Sequence, residues 1–180
     1  TFGGEELRDM GKNRRSSIFG YLGHEPELLS ASVRENICMG DTQDPVPYLH
    51  AVCLDREVRE MEQGLDTLVG PEGHRLSGGQ AQRLALARTL YHKRPVLILD
   101  DPFSALDKPT EAEIFRELRE LAKGSIVLLI SHRLYLFPQL DRVLWMENGT
   151  VTAGTHEELL QKVPAYRALA ADQEGGKNRA

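Results

Sequence analysis

Cysteine is scarce in this chain, and long apolar runs are absent. Cys38 and Cys53 are the two cysteines among 180 residues. They can make at most one bridge and have no metal-ligand spacing, which excludes a disulfide-stapled scaffold and points to a reducing compartment with two half-buried thiols. The longest apolar stretches, around Val96–Leu99 and Ile126–Ile130, fall far short of the roughly 20 residues that cross a bilayer. A surplus of positive charge is missing too. Lys and Arg number 22 against 27 Asp and Glu, a formal charge of −5, so no broad basic surface exists for DNA or RNA and nucleic acid is not an expected partner. The opening residues are polar from residue 3 onward and carry no signal peptide. The pattern G-x-x-x-x-G-K-[ST] is also absent: Gly11-Lys12 and Gly176-Lys177 are each followed by Asn and lack the first glycine.

What is present suits one ordinary domain, with 41% apolar residues to build a core. A strand is expected over residues 16–22 ("SSIFGYL"), then a loop punctuated by Gly, Pro and Ser. Residues 33–63 lean helical, with a Pro-rich break at "DPVP", and read as a small helical insert. A long helix is expected to begin just after Ser77-Gly78-Gly79, with Leu84, Ala87, Leu90 and Tyr91 on one face and Arg83 and Arg88 pointing elsewhere. "PVLILDD" (95–101) and "SIVLLISH" (125–132) read as buried strands of a parallel sheet. Between them, residues 109–124 read as a helix with a capping box of Thr110 and Glu113 and a Gly stop. Asn148-Gly149 predicts a hairpin within 142–154, and Thr155 with Glu158 opens a last helix before a disordered tail at 172–180. Strand, helix, strand in mid-chain means an α/β fold.

Three stretches carry chemistry. Ser77-Gly78-Gly79 at a helix N-terminus offers unpaired N–H groups and close access to an anion, so it reads as a phosphate clamp or, taken alone, as a plain Ser-Gly cap. Asp100-Asp101 closes an apolar strand where ligands of α/β folds bind and where Mg²⁺ on a nucleotide would sit; alone it is an acidic turn. Ser131-His132 closes the second strand with an imidazole, which alone is an ordinary capping or solvent-facing histidine.

Together these stretches resemble the nucleotide-binding domain of ATP-binding cassette (ABC) proteins. Leu76-Ser77-Gly78-Gly79-Gln80 matches the signature, Val96-Leu97-Ile98-Leu99-Asp100 the Walker B strand, Ser104-Ala105-Leu106-Asp107 the D-loop, and His132 the switch histidine. The flanks "EPELLSASVRENICMG", "DTLVGPEGHRLSGGQ" and "GTHEELL" look like exporter cassettes. The resemblance implies a P-loop NTPase-type fold over residues 1–171, with a largely parallel core sheet and a helical subdomain inserted over about 32–93. It implies ATP and Mg²⁺ as ligands, a second cassette as head-to-tail partner, a transmembrane domain, and a place at the cytoplasmic face of the cell membrane. Ser77, Gly78, Gly79 and Gln80 would then serve ATP bound to the partner, Asp100 would hold Mg²⁺ and His132 would contact the γ-phosphate region. Asp107 would communicate across the dimer, while the loop from His24 to Leu28 and Glu72 would meet the membrane domain.

The sequence departs from the family pattern at three points. The P-loop is absent, which implies a C-terminal piece of a longer reading frame with an open sheet. Asp101 stands where active members have Glu as catalytic base, and His24 stands at the Q-loop position in place of Gln. A base must reach within about 2.6–3.2 Å of its target, and Asp is one methylene short. The expectation is an ATPase whose own site is degenerate, paired with a different subunit in a heterodimeric exporter. The alternatives are a non-catalytic regulatory nucleotide-binding module or an inactive truncated chain.

Overall fold

The computed structural model describes residues 1–71, 73, 75–104 and 106–175. The chain divides into two compact units, residues 1–130 and 131–180. The sequence does not announce this division within the domain expected over 1–171.

The first unit is built on a three-stranded sheet of order β1-β4-β5, all parallel. β1 is Phe19–Leu22, β4 is Val96–Asp100 and β5 is Ile126–Ile130. The central strand is the apolar run read as buried, and Leu97 and Leu99 are fully enclosed. The expected first strand is shorter than "SSIFGYL": Lys12–Ile18 forms helix α1, and the strand starts at Phe19. Ser16 and Ser17 bond their hydroxyls to the carbonyls of Asn13 and Arg14, local bonding that suits the last turn of a helix.

The expected helical insert is present as α2 (Val33–Cys38), α3 (Val46–Ala51) and α4 (Asp55–Glu60). A small antiparallel ladder of β2 (Ala31–Ser32) with β3 (Leu68–Val69) closes it. Ser32 and Glu35 cap α2 reciprocally. Pro45 and Pro47 stand at the start of α3, where their missing N–H groups cost nothing. The long helix α5, Gly78–Tyr91, packs on α2 and α3 and is buried on most of its circumference, Ala85 and Leu86 included. α6 spans Lys108–Leu121; its cap is Asp107, not the Thr110–Glu113 box, and Gly124 stops it in the left-handed region.

β5 corrects a second expectation. It is not covered on both faces: Ile126, Leu128 and Ile130 are 59%, 43% and 54% exposed, while Val127 and Leu129 turn inward. An unbroken apolar run suits a strand covered on both faces, but the exposed side chains of β5 alternate along the strand and so share one face, and on that face Ile98 of the central strand is likewise only partly buried.

The second unit packs the hairpin β6 (Val143–Glu147) and β7 (Thr150–Gly154) with α7 (His156–Lys162) and α8 (Pro164–Gly175). Asn148 and Gly149 both have positive φ, as the hairpin turn requires. Thr155 and Glu158 form the expected capping box. Leu159, Val163 and the fully buried Tyr166 make the core. Burial pushes the Tyr166 phenol up to about 12, and its Oη lies 2.6 Å from His156 Nδ1. α8 continues to Gly175, into the tail expected to be disordered; residues 176–180 lie outside the described residues.

The asymmetry of the sheet has a measurable consequence. Leu99→Ala should cost about 2–5 kcal/mol, whereas Leu128→Thr on the open face of β5 should stay within about 0.5 kcal/mol. Urea midpoints of the two variants check this, and comparable losses would mean that the outer face of β5 is covered.

Candidate functional site

The chemistry expected from the sequence gathers in two places in the first unit. One is the N-terminus of α5. Ser77 is extended, its Oγ accepts the Gln80 N–H at 3.2 Å, and Gln80 Oε1 accepts the Ser77 N–H at 2.8 Å. The remaining donors of the first turn point outward, because Ser77 and Gly78 are exposed. A Cβ built on Gly78 would meet nothing within 4 Å. Packing within the chain does not demand that glycine, so the open space suits an approaching anion.

The helix start is braced from below by a carboxylate that the sequence reading did not single out. Glu57 on α4 accepts from Gln80 Nε2 at 2.6 Å on one oxygen and pairs with Arg83 at 2.7 Å on the other. The Arg83 side chain is only 11% exposed and also donates to the carbonyls of Cys53 and Gly79. Arg83 thus does not face solvent; it fastens the signature turn to the helical insert. Cys53, which supplies one of those carbonyls, has φ +53, and burial first and foremost pushes its thiol up to about 11, so it is no ready nucleophile.

The second place is the C-terminal edge of the sheet. Asp100 pairs in register with Ile130 and ends β4. Asp101 turns into the left-handed region with φ +45, its N–H donating to the Ile130 carbonyl at 2.8 Å and its carbonyl accepting from Ser104 N–H at 3.2 Å. Positive φ is uncommon outside glycine, Asp being among the residues that tolerate it, and such backbone concentrates at functional sites. The Asp101 side chain is 14% exposed, and His24 Nδ1 lies 4.0 Å from its Oδ2. The two residues that depart from the family pattern are therefore neighbours, with the His24 ring mostly in solvent.

Asp107 spends its carboxylate on the N-terminus of α6, accepting the Thr110 N–H at 3.5 Å. Hydrogen bonding from Thr110, chiefly its side chain, holds this carboxyl below the usual aspartate range. His132 belongs to the second unit, where its carbonyl accepts from Gln173 Nε2. Ala105 of the D-loop and Glu72 lie outside the described residues. Among the described residues no group of three or more His, Cys, Asp or Glu side chains gathers as a metal cage. Adjacent carboxylates at a strand end instead suit an ion held by one or two protein oxygens, with phosphates and water filling the rest, as Mg²⁺ prefers. No helix among the described residues is long and apolar enough to cross a membrane.

The sequence profile of the ABC transporter family matches residues 1–104. A probable multidrug resistance ABC transporter ATP-binding/permease protein of Bacillus subtilis is 35% identical over 98% of this chain and 32% of its own length. An ATP-dependent lipid A-core flippase of Burkholderia orbicola is 38% identical over 92% of this chain and 29% of its own length. A solved bacterial Atm1-family ABC exporter with ATP bound superposes with a TM-score of 0.87 at 28% identity, covering 94% of this chain and 31% of that one. The chain thus spans about a third of the length of these relatives.

Two outcomes follow from the geometry. Glu57→Ala leaves the enclosed Arg83 without its carboxylate and should destabilise the first unit by about 1–3 kcal/mol. A double-mutant cycle with Arg83→Met should return a coupling well above the ~0.2–1 kcal/mol of exposed pairs. Asp107→Asn keeps a capping oxygen but removes the charge. Because the folded carboxyl sits below its unfolded value, its stabilisation is present above about pH 4 and fades as pH falls through the folded pKa. Acid-unfolding curves of wild type and Asp107→Asn should therefore converge at low pH and separate above it.

Proposed function

Because the chain belongs to the ABC transporter family, we propose that it is the ATP-binding cassette of an exporter and that its own hydrolytic site is the degenerate one of a heterodimeric pair. The observation that carries this reading is a contrast. His24 and Asp101 replace the Gln and Glu of the family at one site and sit 4.0 Å apart, while Ser77-Gly78-Gly79-Gln80 is intact, capped and open. In a head-to-tail pair the first site works on this chain's own nucleotide and the second works on the partner's. Weakened groups at one and sound groups at the other divide the labour between the two.

Each residue has a definite task under this reading. The α5 N-terminus directs its free N–H donors at the γ-phosphate of ATP held by the partner, where the helix dipole favours negative charge. Gly78 leaves room for that approach, and the Glu57–Arg83 brace keeps the turn from yielding. Asp100 offers carboxylate oxygens to Mg²⁺, which when bound with ATP neutralises charge on the phosphates. Asp101 is the residue that would orient the attacking water, one methylene short of the usual base, with His24 beside it. His132 acts at the γ-phosphate region, and Asp107 links the cap of α6 to the dimer contact. The loop from His24 to Leu28 meets the membrane domain, which sets the cassette at the cytoplasmic face of the membrane. ATP binding draws the cassettes together and hydrolysis releases them, and the membrane domains follow.

Turnover by the complete transporter, this subunit with its partner, tests the assignment. Asp101→Ala should change the rate by less than about threefold, because a competent acid–base group is worth roughly 10²–10⁴-fold. Ser77→Ala combined with Gly78→Asp, which blocks the open space, should reduce it by at least a hundredfold, in the range of roughly 10²–10³ seen when an anion-stabilising donor is lost. If Asp101→Ala abolishes turnover as fully as loss of the partner's base, the degenerate-site reading fails. If neither change matters in a pair that closes on ATP, the cassette is a regulatory binding module.

A further inference from the structure

His132 stands in a stretch that forms no regular structure of its own. Residues 131–133 follow β5 in the chain and precede a short 3-10 helix, Leu134–Gln139. Backbone groups in such a stretch need partners other than a helix or a ladder. Two side chains supply them. Ser131 Oγ accepts the Arg133 N–H at 3.1 Å. Gln173, on α8, accepts the Leu134 N–H on its Oε1 at 3.0 Å and donates from its Nε2 to the His132 carbonyl at 2.5 Å.

A glutamine amide carries the donor and the acceptor of a peptide unit. Here it takes the carbonyl of one residue and the N–H two positions on, the pair that a parallel strand takes from its neighbour. The short helix has no side-chain cap of its own at Arg133, so Gln173 also stands in for one across 39 positions of sequence. The anchoring is not confined to that amide. Leu134 is buried in the same core as Tyr166 and Ala170 of α8, and Tyr166, Ala170 and Gln173 fall at i, i+4 and i+7 on one face of that helix. Gln173 is itself half-buried, which shields its bonds from competing water. α8 therefore grips Leu134 by its side chain and the backbone on either side of Arg133 by hydrogen bonds.

We propose that Gln173 is a positioning residue for His132: through its amide, α8 fixes the His132 backbone and so sets how closely the imidazole meets the γ-phosphate of bound ATP. This rests on the reading that His132 acts at the γ-phosphate region, and deepens it by naming what holds the residue there. Misplacing a positioned group by roughly 1 Å can cost about a hundredfold, so the backbone that carries the imidazole matters as much as the ring. ADP lacks the γ-phosphate. A well-held imidazole therefore favours ATP over ADP, and this preference is separate from hydrolysis. It does not depend on Asp101, because a site with little turnover still has to tell the two nucleotides apart if ATP is to hold the pair together.

The test has two arms. On the 180-residue chain, amide hydrogen exchange is followed by NMR for wild type, Gln173→Met and Ala168→Gly, each checked for a cooperative melt. Gln173→Met keeps the length of the side chain and removes both bonds. Ala168→Gly weakens α8 at an exposed position and leaves Gln173 in place. In Gln173→Met the Leu134 amide should exchange about tenfold faster or more, while the Leu159 and Val163 amides, bonded within the second unit, stay as protected as in wild type. In the complete transporter, photolabelling of this subunit by an azido-ATP is competed with ATP or with ADP, which reads the preference between them. His132→Ala should lower that preference about tenfold and Gln173→Met at least about threefold, the two together no further than His132→Ala alone. Ala168→Gly should leave it unchanged. If Leu134 exchanges no faster in Gln173→Met, or if Gln173→Met keeps the ATP preference that His132→Ala loses, Gln173 does not position His132. If Ala168→Gly lowers the preference as much as Gln173→Met, α8 acts only through stability and the inference is likewise overturned. If His132→Ala itself leaves the preference untouched, the assignment of His132 to the γ-phosphate region fails, and the inference with it.

Discussion

The first unit depends on one constraint: α5 must be buried along its length while its first turn stays in water. Leu84, Leu86, Ala87 and Leu90 are enclosed between the sheet and the helical insert, yet Ser77 and Gly78 are exposed. A helix held this way cannot rock or slide without opening the core, so the donors at its N-terminus have a fixed aim. Capping supplies part of the fixation, since Ser77 and Gln80 satisfy donors at the turn without covering it. The larger part comes from two guanidiniums that a helical wheel would assign to solvent. Arg83 binds the first turns to α4 through Glu57, and Arg88 binds the later turns to α2 and to the loop after β1.

These arginines also mark where reading the sequence falls short. Period and composition are enough for β4, for the hairpin at Asn148-Gly149 and for the start of α5, because each depends on residues close in the chain. Glu57 and Gln80 stand 23 positions apart, and Arg88 and Asn36 stand 52 apart. No local pattern announces such partners, and a charged side chain on an amphipathic helix has solvent as its default. The capping of α6 by Asp107 was hidden differently. Thr110 and Glu113 have the spacing of a capping box, but Pro109 can take only an early helical position, which moves the cap back to Asp107. Likewise the apolar character of Ile126–Ile130 is real, while the exposure of one face depends on what packs over the sheet, which five residues cannot encode.

The candidate site was legible as residue types and not as an arrangement. Asp100, Asp101 and the signature are recognisable by motif, and the parallel sheet does bring the first two to its C-terminal edge. That His24 would lie against Asp101 is a tertiary fact, set by the β1–β4 register in which Leu22 stands opposite Leu99. Two residues beyond each of those partners the chain reaches His24 and Asp101. The pairing of strands thus converts two separate departures from a motif into one local rearrangement.

That conversion decides how the departures are to be weighed. Taken singly, Asp for Glu shortens a base and His for Gln replaces an amide by a ring, and either could be accidental. At 4.0 Å between imidazole and carboxylate they are neighbours. Neighbouring side chains are those whose substitutions fail to add, which a double-mutant cycle of His24→Gln with Asp101→Glu measures. The two departures are therefore one local change in the site and not two separate ones.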